Sequence, residues 1–245
     1  MKIAVLSDIH GNRWALEAVV EDLHRRRVDR VVNLGDALYG PLDPAGTADL
    51  ILSLEPVSVL GNEDRAIIDE TTPAEPRSSL AFTRTQLTPE HMRWLGSLAP
   101  TAVVEDKLFL FHGTPECDDE YLLWEIFAAG KAPTPLLVLE RALAGVRQQL
   151  ILCGHDHTPS KSALSDGRLI VNPGSVGLQA YTSDYPYHHA MAAGDPKAHY
   201  AVLEQVNSSW EAELVAVPYD FESAARAALE HSRPDWAYWL RTGLA

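Results

Sequence analysis

Cysteine is scarce in this sequence, which has only Cys117 and Cys153 among its 245 residues. Neither belongs to a Cys-x-x-Cys pair, and a chain of this length can bury a sufficient core without disulfide staples. The pattern therefore argues against a disulfide-stabilised secreted domain. It predicts reduced thiols in a cytoplasmic protein.

Long apolar runs are also missing. No stretch approaches the roughly 18 to 20 apolar residues that a membrane-spanning helix requires. Near the N-terminus, Ile3–Leu6 is too short to be the apolar region of a signal peptide, and polar Ser7 and Asp8 follow it. These observations predict a protein that has no membrane partner.

Positive charge is the third shortage. Lys and Arg total 20 residues against 34 for Asp and Glu, which gives a formal net charge of −14. A surface that binds extended nucleic acid normally carries the opposite sign, because it neutralises backbone phosphates. We therefore expect no extended nucleic-acid partner. Apolar residues at 46% and charged residues at 22% match an ordinary globular protein, so a compact core is expected.

The spacing of apolar residues is typical of an α/β protein, in which short buried strands alternate with helices. We predict one domain, 1–245, with a helical lid-like insertion at about 114–148. Two helices separated near 130–135 are expected over 116–148. The predicted strands are 2–6, 30–34, 57–60, a hairpin of 101–104 and 107–111, 149–153, 168–171, and about 199–206 and 210–217. The other predicted helices are about 14–27, 44–54, 79–86, one opening at Thr88-Pro89, and a C-terminal one at about 221–241.

Side chains able to bind metals follow the predicted strands where those strands end. Strand ends in α/β sheets meet at a common edge, so side chains placed there converge on one crevice. Carboxylate, amide and imidazole groups suit Mn, Fe, Zn, Ni or Co, and a pair of metals needs a bridging carboxylate and several further ligands. The candidate ligands are Asp8, His10, Asp36, Asn62, His112, His155 and His157.

These residues lie in short motifs, in the order Asp8-x-His10, Gly35-Asp36, Gly61-Asn62-x-Asp64, His112-Gly113 and Gly154-His155-x-His157. The ordered set resembles the signature of the calcineurin-like metallophosphoesterase superfamily, over roughly residues 1–177. The segments 8–12, 35–41 and 172–177 further resemble its small bacterial and archaeal phosphodiesterase branch. The motifs are specific for the superfamily and far less specific for a substrate.

The resemblance implies a fold, a ligand set and a reaction. The implied fold is a four-layer αββα sandwich of two mixed β-sheets flanked by helices. The implied reaction is in-line attack on phosphorus by a hydroxide held between two divalent metals. Manganese is the first choice, and Fe, Zn, Ni, Co and Mg are alternatives. Asp8, His10 and His157 would bind the first metal and Asn62, His112 and His155 the second, with Asp36 bridging both.

One position departs from the family pattern. Many members have a histidine after the asparagine that helps to protonate the leaving group, whereas this chain has Glu63. A glutamate acts as a general acid only if its pKa is raised, and a nearby metal lowers it. No histidine acid is therefore expected here. The expected catalytic group is Asp36, Asn62, Glu63 and His112.

Several neighbouring side chains have two interpretations each. Asn12 either donates a hydrogen bond to a substrate phosphate or caps a helix, and Asp64 either orients a ligand such as His112 or caps a helix. Tyr39 either lines the pocket or packs in the core. The Tyr and His cluster within 181–189 either overhangs the site or forms a surface loop or an interface.

The favoured function is hydrolysis of small phosphodiesters, with nucleotides among the candidates. The alternatives are a phosphomonoesterase, a dinucleoside polyphosphate hydrolase, and a non-catalytic interaction scaffold stabilised by metal. A scaffold is less consistent with an intact ligand set, because unpaired buried charge is costly. A homo-oligomer through the C-terminal helix is a further expectation, since Trp236, Trp239 and Leu240 lie on one side of it.

Overall fold

The computed structural model describes residues 1–207 and 209–245. In this part of the chain no helix combines the length and the hydropathy that crossing a bilayer requires. The helices are α1 (Arg13–Arg26), α2 (Pro44–Ser53), α3 (Asn62–Ile68), α4 (Ser79–Gln86), α5 (Pro89–Ser97), α6 (Leu136–Ala142), α7 (Phe221–Glu230) and α8 (Pro234–Thr242). The strands are β1 (Lys2–Leu6), β2 (Arg30–Asn33), β3 (Val57–Ser58), β4 (Thr101–Val104), β5 (Leu108–Phe111), β6 (Trp124–Phe127), β7 (Gly130–Pro133), β8 (Leu150–Leu152), β9 (Ser160–Ala163), β10 (Leu169–Asn172), β11 (Ala180–Ser183), β12 (His189–Ala192), β13 (Ala198–Val206) and β14 (Ser209–Val217).

Two mixed sheets of five strands form the centre of the fold. The first has the order β14-β13-β1-β2-β3, and its β1 runs parallel to β2 and antiparallel to β13. The second has the order β4-β5-β8-β10-β9, and its β8 runs parallel to β5 and β10. The hairpins β6–β7 and β11–β12 are separate from both sheets.

Alternating side chains along the strands explain why the sheets stack between helices. Ile3 of β1 packs in one apolar cluster with Leu108 and Leu150 of the second sheet. Its neighbour Ala4 packs in another cluster with Leu16 of α1. Successive side chains of a strand point to opposite faces, so β1 contributes to both clusters.

Helix α6 covers the other face of the second sheet, where Leu139 and Leu143 pack with Ile151 of β8. The layers therefore run helix, sheet, sheet, helix. This arrangement confirms the predicted αββα sandwich of two mixed sheets, and it leaves the ends of β1, β2, β5 and β8 free to carry polar groups.

The prediction of two helices within 116–148 is wrong. This segment contains the hairpin β6–β7 and the single helix α6. Trp124, Ile126 and Phe127 belong to residue types that favour strands, and Gly130 at the turn has a φ of +138°, which other residues rarely adopt. This segment is consequently a β-hairpin followed by a short helix.

The C-terminal helix predicted over about 221–241 is interrupted, because α7 ends at Glu230 and α8 begins at Pro234. A proline lacks the N–H that a helix interior needs, so it starts a helix more readily than it continues one. Trp236 and Leu240 pack against α7 and Leu178 inside the chain. The expected homo-oligomer stays a prediction, and these two side chains are not available for its interface because they are buried within the chain.

Candidate metal centre

The candidate ligands come from loops that follow parallel strands at one edge of the sandwich. Asp8 follows β1, Asp36 follows β2, His112 follows β5 and His155 follows β8. Their loops are joined by backbone hydrogen bonds, such as the one from Asp8 N to Gly35 O at 3.0 Å. The carboxyl ends of neighbouring parallel strands thus bring residues that are far apart in the sequence to one point.

An unusual backbone conformation carries most of these ligands. Asp8, His10, Asp36, His155 and His157 all have φ values between +52° and +69°. Residues with a side chain seldom occupy this left-handed region, and such strain tends to cluster at functional sites. The loops are therefore shaped to aim these side chains.

Two glycines allow the ligand loops to approach each other closely. A Cβ atom at Gly61 would overlap Oδ1 of Asp36, and one at Gly154 would overlap Oγ of Ser7 and lie 2.9 Å from Oδ2 of Asp8. A larger residue at either position would displace a candidate ligand or its loop. The glycines in the motifs consequently have a packing role.

The ligand atoms form groups small enough to hold a metal ion. Asp8, His10 and His157 have ligand atoms within 4.8 Å of one another, and so do Asp36, His112 and His155. Nε2 of His157 lies 3.2 Å from Oδ1 of Asp8, and Nε2 of His112 lies 3.2 Å from Oδ2 of Asp36. We call the seven candidate ligands the inner site; they are Asp8, His10, Asp36, Asn62, His112, His155 and His157.

Several polar atoms of the inner site are buried with no hydrogen-bond partner among the described residues. These atoms are Oδ1 of Asp8, Oδ1 of Asn62 and Nε2 of His112. A buried polar atom without a partner costs free energy, and a bound metal ion removes that cost. The donor set, made of carboxylate, amide and imidazole groups, fits a divalent transition metal.

Backbone carbonyl groups orient three of the histidines. Nδ1 of His112 donates to Leu34 O at 2.7 Å, and Nδ1 of His157 donates to Leu178 O at 2.5 Å. Nδ1 of His10 lies 3.3 Å from Tyr39 O. Each contact leaves Nε2 free to face the other ligands, which is the usual arrangement of metal-binding histidines.

The electrostatics of the inner site favour positive charge. Burial lowers the pKa of His10, but Glu63, Asp36 and Asp8 together raise it to about 9. Burial also lowers the pKa of His112, and Asp36 and Asp8 raise it to about 10. Although burial raises the pKa of Asp8, interactions with His157 and the other histidines hold it well below its usual value. The carboxylates thus stabilise the cationic form of neighbouring groups.

Asp64 supports the loop that carries Asp36. Its Oδ1 accepts from Ala37 N at 3.1 Å, and its Oδ2 accepts from Gly61 N at 3.4 Å at the start of α3. Within residues 1–207 and 209–245, neither of its side-chain oxygens is hydrogen-bonded to His112. Asp64 therefore caps α3 and holds the loop of Asp36 at the same time.

Asn12 caps α1, as one of its two interpretations expects, and its contact with a substrate phosphate stays a prediction. Its Oδ1 accepts from Ala15 N at 3.1 Å and caps α1, while its Nδ2 donates to Gly177 O at 2.8 Å. The side chain is fully buried. Tyr39, in contrast, lines the cleft above the inner site.

A cleft of about 550 Å³ opens above the inner site. Tyr39 and Glu63 line it close to the ligands. Its remaining side is what we call the outer wall, made of lining residues within 119–126, 181–186 and 233–239. The outer wall consists of Asp119, Glu120, Tyr121, Trp124, Ile126, Tyr181, Thr182, Ser183, Tyr185, Pro186, Arg233, Trp236 and Trp239.

The predicted Tyr and His cluster divides between the site and the surface. Tyr181 lies over the inner site, with its ring centre 4.5 Å from that of His157. Tyr187 and His188 are exposed, whereas His189 is buried. Tyr121, Trp124 and Arg233 were not predicted as site residues, because no motif or strand end marks them.

Lys131 of β7 joins the two hairpins that contribute to the outer wall. Its Nζ donates to Ala190 O of β12 at 2.6 Å. The same nitrogen lies 4.9 Å from the ring centre of Trp124, at a distance that permits a cation–π contact. The two hairpins are therefore connected to each other.

Comparison with known proteins agrees with the geometry. The chain is 28% identical to a metallophosphoesterase from Sphaerobacter thermophilus, with a TM-score of 0.78 and 99% of each chain covered. A hypothetical protein from Pyrococcus horikoshii OT3 has the same fold, with 19% identity, a TM-score of 0.74 and coverage of 99% of this chain and 98% of that one. An uncharacterised protein of Methanocaldococcus jannaschii is 27% identical, over 96% of this chain and 94% of its own length.

The family assignment rests on the sequence as well as on the fold. The profile of the calcineurin-like phosphoesterase superfamily domain matches residues 1–195. This range includes every candidate ligand and ends after the hairpin β11–β12. The chain therefore belongs to the calcineurin-like phosphoesterase superfamily.

Proposed function

We propose that this protein is a dinuclear-metal-dependent phosphodiesterase that hydrolyses small phosphodiesters, with nucleotides among the candidates. The observation that carries the proposal is a cluster of buried ligand atoms at the base of the cleft: Oδ1 of Asp8, Oδ1 of Asn62 and Nε2 of His112 make no hydrogen bond within residues 1–207 and 209–245. Burying so many polar groups together is costly without an ion to bind them. Family membership makes phosphoester hydrolysis the matching chemistry.

The two groups of ligand atoms support two metal positions. Asp8, His10 and His157 would hold one ion. Asn62, His112 and His155 would hold the other, with Asp36 between them. Divalent ions bound there would neutralise charge on the phosphoryl oxygens and activate water for attack. Manganese suits the mixed oxygen and nitrogen donor set and is the first ion to test.

Backbone N–H groups at the start of α3 hold the Asp36 side chain in this position. Its Oδ1 accepts from Glu63 N at 2.9 Å and from Asp64 N at 3.3 Å. Its Oδ2 faces Nε2 of His112 at 3.2 Å. One carboxylate oxygen is therefore fixed by backbone donors while the other is directed into the inner site.

Glu63 stands where many relatives have a histidine, and it contacts His10. Its Oε2 lies 3.1 Å from Nδ1 of His10, and burial raises its pKa from the ordinary value although His10 opposes that rise. A carboxylate at this distance attracts the Nδ1 side of the ring and, together with Tyr39 O, helps to fix its orientation. We assign Glu63 to orienting His10, with the leaving group left to depart without a histidine acid.

The charge of the cleft favours a diester over a monoester. Among the described residues that line the cleft, Arg233 is the single Lys or Arg, and its guanidinium already binds Asp235 and Ser79. Asp119 and Glu120 add negative charge to the outer wall. A phosphodiester carries one negative charge near neutral pH, so it is repelled less than a monoester dianion.

The aromatic lining supports substrates with a flat substituent. Tyr121, Trp124, Tyr185 and Trp239 are among the side chains of the outer wall, and Tyr39 faces them from the inner side. Aromatic rings stack with any nucleobase and also with nitrophenyl groups, because each of these groups is flat. Nucleotide diesters without further phosphates are the natural class to screen.

The deciding experiment compares hydrolysis of bis-p-nitrophenyl phosphate and p-nitrophenyl phosphate. Metal-stripped protein is assayed with and without Mn²⁺, beside an Asp36→Asn control. We expect Mn²⁺-dependent turnover of the diester that the control lacks. Binding of Mn²⁺ without turnover of either ester would contradict the proposal and favour an interaction scaffold.

A further inference from the structure

His155 is held differently from the other histidines of the inner site. His10, His112 and His157 each place Nδ1 against a backbone carbonyl oxygen. Within residues 1–207 and 209–245, neither ring nitrogen of His155 has such a partner. Its backbone has a φ of +69°, so the residue also lies in a strained conformation. Its ring therefore needs support from another part of the chain.

Two tyrosines of the outer wall provide that support. The ring of Tyr121 stacks on the ring of His155, with centres 4.8 Å apart and planes 26° from parallel. The hydroxyl group of Tyr181 donates to His155 O at 2.9 Å. One tyrosine thus holds the imidazole and the other holds the backbone of the same residue.

The two hydroxyl groups also contact each other and a further histidine. The hydroxyl oxygens of Tyr121 and Tyr181 lie 2.8 Å apart, and that of Tyr121 lies 2.9 Å from Nε2 of His189. Nδ1 of His189 donates to Tyr187 O at 2.7 Å. A continuous series of polar contacts therefore joins His189, Tyr121, Tyr181 and His155.

We propose that Tyr121 and Tyr181 are positioning residues for His155. The inference rests on the proposed function, because it takes His155 as a metal ligand. Stacking limits rotation of the imidazole, and the hydrogen bond to the carbonyl stabilises the left-handed backbone. Together they keep the ring beside Asp36 and His112, within the group of atoms suited to an ion.

The test measures binding of Mn²⁺ to metal-stripped protein by isothermal titration calorimetry. Tyr121→Leu removes both the stacked ring and the hydroxyl group, and we expect it to weaken one Mn²⁺ site by about tenfold or more. Tyr181→Phe removes the bond to His155 O and the contact with the Tyr121 hydroxyl group but keeps the ring, so it should weaken the same site by a smaller factor. Tyr121→Phe keeps the stacked ring and should retain more affinity than Tyr121→Leu.

Tyr185→Leu is the matched control. Tyr185 also lines the cleft, is 75% exposed, and has no hydrogen bond from its hydroxyl group among the described residues. It should bind Mn²⁺ like the unaltered protein. Thermal unfolding of each metal-free variant identifies a loss of fold; if Tyr121→Leu does not fold, Tyr121→Phe and Tyr181→Phe decide.

Affinities equal to the control in every folded Tyr121 and Tyr181 variant would overturn the inference while leaving the proposed function intact. Failure of the unaltered protein to bind Mn²⁺ would overturn both. Selective weakening of one site in Tyr121→Leu and Tyr181→Phe, with Tyr185→Leu unchanged, is the result that supports it.

Discussion

The inner site and the outer wall face each other across one cleft and are built on opposite principles. The inner site consists mostly of buried polar side chains on strained loops that the two sheets fix in place. The outer wall consists largely of half-buried or exposed side chains on two hairpins and a terminal helix. A rigid framework that carries the chemistry and a less constrained surface that selects the substrate are a common division in enzymes. The comparison teaches that substitutions on the two sides should fail in different ways.

The largest difference between the two sides is expected when one carboxylate on each side is replaced by an amide. Asp36→Asn removes charge from the centre of the inner site, so it should lower Mn²⁺-dependent turnover of bis-p-nitrophenyl phosphate by more than about 100-fold and weaken Mn²⁺ binding. Asp119→Asn, on the outer wall, is the matched control and should keep Mn²⁺ affinity within about threefold. Similar losses in both variants would remove the distinction between the two sides.

Packing should distinguish the inner site from the periphery. Gly154→Ala places a Cβ atom against Ser7 and Asp8, so we expect it to lower the free energy of unfolding by about 1–3 kcal/mol, measured by urea denaturation. Gly96→Ala, in α5, meets no atom within 4 Å and should stabilise the protein by about 0.5–1 kcal/mol. Equal stability of the two variants would show that the ligand loops tolerate more adjustment than their close contacts imply.

Substitution of Trp124 in the outer wall should weaken substrate binding without changing metal binding. Trp124→Leu removes an aromatic ring from the cleft, so KM for bis-p-nitrophenyl phosphate should rise by about tenfold, as expected from losing one stacking interaction. Affinity for Mn²⁺ should not change. Phe127→Leu is the control, since Phe127 lies on the same strand but does not line the cleft. A fall in kcat at constant KM would instead place Trp124 with the catalytic residues.

The smallest effect is expected for Glu63, which lies beside the inner site and departs from the family pattern. Glu63→His restores the histidine found in many relatives but loses the carboxylate that contacts Nδ1 of His10. We expect turnover to change by less than about tenfold, because the gain of an acid and the loss of an orienting contact oppose each other. Activity as low as that of Asp36→Asn would show that orientation of His10 is essential.

The difference between the two sides also explains what could be predicted from the sequence. The residues that form the inner site stand directly after strands with clear apolar patterns, so their convergence followed from the strand ends. Helices α4 and α5 were equally clear, because α5 begins with the cap Thr88 and Pro89.

The outer wall has no comparable local pattern. Hairpin β6–β7 has only four residues in each strand, so its alternating pattern is too short to distinguish it from a helix. The contact of Lys131 that holds the hairpin in place is with a residue remote in the sequence. Tyr121 reaches His155 only through the fold. The sequence around Asn12 is consistent with two interpretations, and its hydrogen bond to Gly177 O joins residues that are remote in the sequence. Contacts of this kind depend on tertiary structure and leave no periodic trace in the sequence.

The link made by Lys131 has an evolutionary consequence. Its ammonium group binds a carbonyl of β12 and lies over Trp124 of β6, so neither hairpin can be remodelled without affecting the other. A new substrate preference would require changes in both hairpins, because a change in one hairpin alone would disturb the contact with the other and weaken substrate binding. We expect relatives with different preferences to differ in the two hairpins together, so that residues in 124–133 and 180–192 covary across the family.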